Sequence, residues 1–390
     1  MASNNEISVL SKANFTFIDL FAGCGGLSEG FVQAGFLPIA HVEMNDDACD
    51  TLRTRSCYHF CRTHEKEQVY FDYIKGQISR NDLYNQVPSN IINSVINVEI
   101  SDSSIENIFN QIHKLAGKKS IDLIIGGPPC QAYSLLGRHM KGMEDDPRTL
   151  LYLQYGKFLA EFCPKGFVFE NVPGLLSAKK GEHFKNLQAY FKSLGYEVHY
   201  KMLTASDYGV LQERHRLIIV GWRENLDLGY PNFKTKITKT MVNDILEDLP
   251  KLKAGEIQEV AKYESPINQY LKDSGIRSEN ENFVTQNITR PVNENDAKIY
   301  AFAIKLWNEK HSRLKYTDLP LKLRTQKNEG AFLDRFKVVD GEGKSHTIVA
   351  HLSKDGHYYI HPDIKYCRSL SVREAARLQA FPDNFYFEGS

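Results

Sequence analysis

Long apolar runs are missing from this sequence: none approaches the roughly 18 residues that a bilayer-spanning helix needs. The opening residues, Met1-Ala2-Ser3-Asn4-Asn5-Glu6, lack the basic and apolar regions of a signal peptide, so the expectation is a cytoplasmic protein with no membrane role. Cysteine is scarce, seven in 390 residues, odd in number and scattered. That pattern speaks against a disulfide framework and leaves each cysteine to be read as buried, metal-binding or reactive. Net charge is also lacking, because 48 Lys and Arg offset 48 Asp and Glu. A neutral total neither implies nor excludes nucleic acid, since a basic cleft can sit on a neutral protein. Repeats and low-complexity tracts are absent. What is present, 42% hydrophobic and 25% charged residues, suffices for a large buried core, and the length suits one large α/β domain with a smaller one appended.

Over the first 223 residues, short apolar β-rich runs alternate with helical patterns. Phe15–Phe21 reads as a buried strand running into the glycine turn Gly23-Cys24-Gly25-Gly26, with a helix from about Leu27 to Gly35 behind it. Leu37–Met44, Ile121–Ile125, Phe167–Phe169, Glu197–Thr204 and Arg216–Trp222 read as further strands. Continuous apolar strands between helices predict a doubly wound, mostly parallel, Rossmann-like sheet, which binds ligands at the carboxyl ends of its strands. Residues 57 to 91 read as a polar, Tyr-rich insertion. From about residue 225 the rhythm is lost, and Phe332–Asp363 alternates like hairpin strands with turns at Asp340-Gly341 and Asp355-Gly356. The predicted domains are therefore 1–224, a smaller irregular one over 225–366, and a return to the first over 367–390, with a helix at Ser371–Gln379 stopped by Pro382.

The polar signatures gather at the strand ends. A glycine turn after the first strand lets backbone amides approach a ligand, and Glu43 closes the second strand, where an acid can bind ribose hydroxyls; together they suggest an adenosine-containing cofactor. Cys130 follows two prolines in Gly126-Gly127-Pro128-Pro129-Cys130-Gln131, a rigid turn at a central strand end, where a thiolate can attack an electrophilic carbon. A single cysteine is more often inert and buried. Here Glu170, at the next strand end, can protonate a ring nitrogen, and Arg214 and Arg216 can fix a carbonyl oxygen and orient that carboxylate.

In this order, Asp19–Gly26, Gly127–Ser134, Glu170-Asn171-Val172, Gln212–Arg216 and Arg373-Glu374 with Arg377-Leu378-Gln379, the sequence resembles the DNA (cytosine-5) methyltransferase family from about Phe15 to Phe387. The resemblance implies S-adenosyl-L-methionine as cofactor, held by Asp19, Phe21, Gly23, Gly25 and Gly26, with Glu43 on its ribose and Met44 against the adenine. Glu99 and Ile100 stand where the family has an Asp-Ile pair, and Pro129 and Leu151 would line the methyl-donor pocket. It implies Cys130 adding to C6 of a cytosine flipped out of double-stranded DNA, with Glu170, Arg214 and Arg216 on N3 and O2. Ala132–Arg148 is the loop implied to close over that base, Gln131, Ser134 and Arg138 are implied DNA contacts, and Thr347-Ile348 is the pair expected near the DNA, within a target-recognition domain. A bacterial restriction-modification enzyme is the setting this implies.

Two rivals stay open at this level: a family branch that methylates tRNA, marked by a Cys-Phe-Thr tripeptide that this sequence lacks, and a non-catalytic DNA-binding subunit. Cys57, His59, Cys61 and His64 offer zinc-type ligands without a second pair at a recognised spacing, so a partly buried helix and no metal is the reading preferred. The family's closing Gly-Asn-Ala/Ser-Val segment is not found in the 390 residues. The expectation is a shortened chain or a split enzyme completed by a second polypeptide, and otherwise a monomer.

Overall fold

The computed structural model describes residues 15–129, 150–324 and 333–389. Its first seven strands in chain order are β1 Thr16–Leu20, β2 Leu37–Glu43, β3 Val95–Asn97, β4 Leu123–Gly126, β5 Gly166–Asn171, β6 Tyr196–Thr204 and β7 Gln212–Glu213, followed by β8 His215–Arg223. All but β7 form one sheet in the order β3-β2-β1-β4-β5-β8-β6. β1 to β5 pair in parallel and β8 lies antiparallel to β5. This is the predicted doubly wound sheet. The three-residue β3 was not foreseen, because so short a run carries no periodicity.

Strand alternation explains why helices cover both faces. Phe17 packs with Leu27, Phe31 and Val32 of α1 Gly26–Gln33, whereas Ile18 and Leu20 pack with the other side's helices. On that side α6 Ile105–Ala116 turns Ile105, Ile108, Phe109, Ile112 and Ala116 inward at helical spacing. α7 Leu151–Phe162 adds Tyr155, Phe158 and Leu159, and α8 Glu182–Ser193 adds Phe184, Leu187 and Phe191.

The predicted insertion takes shape as the end of α2 Asp46–Thr63 plus three short helices, α3 Glu67–Ile74, α4 Arg80–Tyr84 and α5 Ser89–Asn93. α2 starts where Asn45 accepts the Ala48 N–H and Asp46 and Asp47 face the positive helix end. Cys57 and Cys61 are buried along α2, and His59 is engaged with Glu29 at 2.9 Å beside the Arg55–Glu29 pair at 2.6 Å. Among the described residues no His, Cys, Asp and Glu group is arranged to hold a metal, and no helix is long and apolar enough to cross a membrane.

The chain divides into two compact units, one through Leu203 with His215–Phe233 and Phe387 onward, the other Thr204–Arg214 with Lys234–Tyr386. The second unit differs from its sequence reading in two respects. Between residues 333 and 363 the only strand is β11 Ser345–His346, paired with β7, so the expected hairpins are not formed. The alternation is real but serves two cores: Phe336, Val338 and Ile360 enter one cluster, Val339, Ile348 and Tyr359 another. The turns do exist, with Asp340 accepting the Glu342 N–H and Asp355 the His357 N–H. The true antiparallel pair is β9 Ile257–Lys262 with β10 Phe283–Ile288.

The last helix, α12 Val372–Leu378, also packs in the second unit rather than returning to the first. Ala375 and Leu378 join the cluster of Val242, Ile245 and Leu246 from α9 Val242–Leu246, and only Phe387 onward rejoins the first unit. Glu374 caps α12 with Ser371 and takes the Arg368 guanidinium bidentately, both contacts at 2.7 Å.

Two histidines of this unit give a pH prediction. Burial holds His361 and His346 down at about 4; Glu374 and Asp363 oppose this at His361 while Arg368 and Lys251 assist, and Arg313 and Lys337 assist at His346. A histidine depressed in the folded state protonates first in the unfolded chain, so its stabilisation is complete above about pH 6.5 and shrinks as pH falls toward 4. Each should cost on the order of 2 kcal/mol by about pH 5. Denaturant titrations of wild type and His361→Gln at pH 7 and 5 check this: the variant should show the shallower pH loss.

Candidate active site

Register places the predicted signatures side by side. Leu20, the last residue of β1, pairs with Gly126 at the end of β4, and Gly126 pairs with Phe169, one residue before Glu170. The glycine turn, the Gly127-Pro128-Pro129 stretch and Glu170 therefore lie at the carboxyl ends of three adjacent strands.

Asp19 is 1% exposed, and among the described residues its Oδ2 has no hydrogen-bond partner. Burial, and next the nearby Glu43, push its carboxyl well above the usual carboxylate range. Phe21 and Gly25 both take left-handed backbone, at φ 57° and 87°, to turn the chain into α1. At Gly25 a side chain would be strained and its Cβ would also come within 2.7 Å of Leu52 Cδ2. Glu43 Oε2 accepts the Gly23 N–H at 2.8 Å, while its Oε1 accepts those of Met44 and Asn45, both at 2.9 Å. One carboxylate thus ties the end of β2 to the glycine turn. Met44 stands 63% exposed beside it, Glu99 is exposed, Ile100 is in the core, and Leu151 opens α7.

On the neighbouring strands, Arg216 Nε donates to Glu170 Oε1 at 2.5 Å. Gly127 lies so near that a Cβ there would fall 2.8 Å from Glu170 Oε2, so only glycine leaves that carboxylate its place. Asn171 Nδ2 donates to the Pro128 carbonyl at 3.4 Å, linking β5 to the turn before the cysteine. Pro129 is exposed at the end of this stretch. Cys130, Gln131, Ser134 and Arg138 lie outside the described residues.

A second grouping forms within the other unit. Arg214 Nη1 donates to the Ile348 carbonyl at 3.4 Å, and Thr347 Oγ1 donates to the Glu213 carbonyl at 2.7 Å. Gln212, which the sequence reading gave no role of its own, is the organiser: its Oε1 accepts the Ile348 N–H and its Nε2 donates to the Leu378 carbonyl. Ile348 was expected near DNA, but its side chain is 2% exposed and belongs to the core. The hydrophobic gain of burying it outweighs presentation to a polar ligand, and its backbone N–H and carbonyl are taken by Gln212 and Arg214.

Comparison with known proteins adds independent findings. The family model for C-5 cytosine-specific DNA methylase matches residues 15–79 and 82–390. The Type II methyltransferase M.Bpa9945I of Bacillus paralicheniformis is 39% identical over 95% of this chain and 92% of its own. The Type II methyltransferase M.DdeI of Desulfomicrobium norvegicum is 30% identical over 95% and 80%. Among solved structures, a DNA modification methyltransferase encoded within an E. coli prophage aligns with TM-score 0.60 at 23% identity, covering 96% of this chain and 90% of that one. The Entamoeba histolytica methyltransferase EhMeth aligns with TM-score 0.51 at 14% identity over 97% and 90%. These two likenesses show the fold alone, a Rossmann-like methyltransferase sheet.

Proposed function

The chain belongs to the C-5 cytosine-specific DNA methylase family, whose reaction is methylation of DNA cytosine at C5, and from that premise we propose the donor, the residues and the setting. The donor is S-adenosylmethionine, which when bound supplies an electrophilic methyl group on a sulfonium. The residues present fit it. The glycine turn of Phe21, Gly23, Gly25 and Gly26 offers backbone amides at a helix start, and the buried Asp19 Oδ2, unpartnered among the described residues, suits a cationic amine. Glu43 and Met44 would meet ribose and adenine, with Glu99, Ile100, Pro129 and Leu151 around them.

Cys130 adds as thiolate to C6 of the cytosine while Glu170 hands a proton to N3, which makes C5 nucleophilic. After methylation, C5 loses its proton to a base, the Cys130–C6 bond breaks, and N3 returns its proton to Glu170. Arg216 orients Glu170, and Arg214 holds the base carbonyl. The reacting carbon lies inside the duplex stack, so the cytosine must be flipped out, with Gln131, Ser134, Arg138 and Thr347 toward the DNA. The single observation that carries this reading is the Glu170 carboxylate, clamped by Arg216 at 2.5 Å against Gly127 of the Pro-Pro-Cys turn.

In this reading the first unit is catalytic and the second is the target-recognition domain, in the cytoplasmic modification enzyme of a bacterial restriction-modification system. Labelled methyl transfer to DNA and to tRNA tests it; labelling of tRNA alone would sink it. Repeating the assay with an added polypeptide carrying a Gly-Asn-Ala/Ser-Val segment decides the expectation of a second subunit. Glu170→Gln should lower kcat by about 10²–10⁴-fold with little change in KM for the donor, because proton transfer is lost while the glycine turn is untouched.

A further inference from the structure

From Leu228 to Asn243 the chain runs 16 residues without a carboxylate, and three lysines, Lys234, Lys236 and Lys239, fall within six of them. Residues 231–240 form neither helix nor strand. From Lys234 onward the stretch is nevertheless anchored within its own unit. The Lys236 N–H donates to the Asp207 carbonyl at 2.8 Å, and the Lys236 stem lies over Gly209, where a Cβ would come within 3.2 Å of Lys236 Cδ. Further along, Thr238 Oγ1 accepts the Thr240 N–H, and the Asp244 carboxylate is taken up by the Met241 N–H at 2.7 Å. All three lysines are exposed, and among the described residues none is paired with a carboxylate. Between them Ile237 is 92% exposed.

Exposed lysines are ordinarily paired or scattered. Three lysines unpaired among the described residues, on an anchored stretch with no acid of its own in a neutral chain, concentrate positive charge locally, with Asp207 the acid beside them. DNA is the polyanion this family acts on, with one charge per ~3.4 Å of axis on each strand. Lysines two and three residues apart lie at most about 7 and 11 Å apart along the chain, so each can take a separate phosphate. Threonine hydroxyls such as those of Thr235 and Thr238 are further phosphate donors. We propose that Lys234, Lys236 and Lys239 form a phosphate-binding track that holds the duplex without reading its sequence. This rests on DNA being the substrate.

The test measures binding of the full chain to two labelled duplexes, one carrying a methylatable site and one without, across a salt series. Lys234→Gln/Lys236→Gln/Lys239→Gln should weaken both duplexes by the same factor and lower the slope of log affinity against log salt by about 2.7. The wild type's advantage over this variant should then shrink ~40-fold between ~50 and ~200 mM salt. Lys→Arg at all three positions should keep the wild-type slope. A Gln variant that melts like wild type yet keeps its affinity and slope overturns the track. So does a loss confined to the site-bearing duplex, which would mean base reading. A wild-type chain that binds neither duplex removes the DNA reading itself, and the track with it.

Discussion

Cys130→Ser is expected to lower methyl transfer by about 10⁴–10⁶-fold, the size of effect seen when a covalent nucleophile is removed. A thiol ionises near neutral pH, whereas a serine hydroxyl does not without a dedicated base, so the attack on C6 loses its nucleophile while the binding surfaces remain. Three neighbours of the turn are already in place: Gly127 against Glu170, Pro128 bonded to Asn171, and Arg216 on Glu170. The serine variant should therefore keep donor binding and wild-type melting. Incubation with DNA containing 5-fluorocytosine separates the steps, since wild type should be trapped as a covalent adduct and the variant should not. Activity of Cys130→Ser within tenfold of wild type would refute covalent catalysis by this residue. The double variant with Glu170→Gln should be barely worse than Cys130→Ser alone, because both act in one step.

Arg377→Met should produce the largest loss of stability. Its guanidinium is fully buried, with Nε donating to Asp383 Oδ1 at 2.9 Å, Nη2 paired with Asp383, and Nη1 on Asp248 and the Ile245 carbonyl. The buried Arg377 and Asp383 each stabilise the other's charge: desolvation opposes ionisation, but Arg377 still holds the Asp383 carboxyl below the usual carboxylate range. Methionine fills similar volume yet leaves Asp383 without this partner in a dry interior, while Asp248 keeps Arg277 at 2.6 Å. Breaking one side of such a buried pair costs about 3–5 kcal/mol, a large part of the 5–15 kcal/mol that usually holds a domain. Thermal melting should fall by roughly 6–20 °C for a unit of this size. Adding Asp383→Asn to Arg377→Met should recover part of the loss, because the orphaned charge goes with it. A single variant within about 1 kcal/mol of wild type would mean that the network is solvated after all.

Much of this was legible locally. β1, β2, β4 and β5 are buried on both faces, which writes them as continuous apolar runs, and each run ends on the glycine, proline or acid that turns the chain toward a ligand. α12 announced itself by the helical run Ser371–Gln379 and by Pro382 beyond it, and the structure adds the Ser371–Glu374 capping box. One feature misled. The alternation of residues 333–363 has strand period, but a period does not say whether its two sides are core and solvent or two different cores. Arg368, Arg373 and Arg377 carry charge and would ordinarily be placed at the surface, yet all three are buried.

Family, parallel sheet and chemically active residue types are legible in the chain because they depend on short-range pattern and on ordered motifs. Which residues meet is a property of the folded molecule. Glu170 reaches Arg216 across 46 residues because β5 and β8 pair antiparallel; Gln212 joins Ile348 to Leu378; and Arg377 finds Asp248, 129 residues away. Such partners are fixed by strand order, register and the need to satisfy every buried polar group, and no local run of residues encodes those.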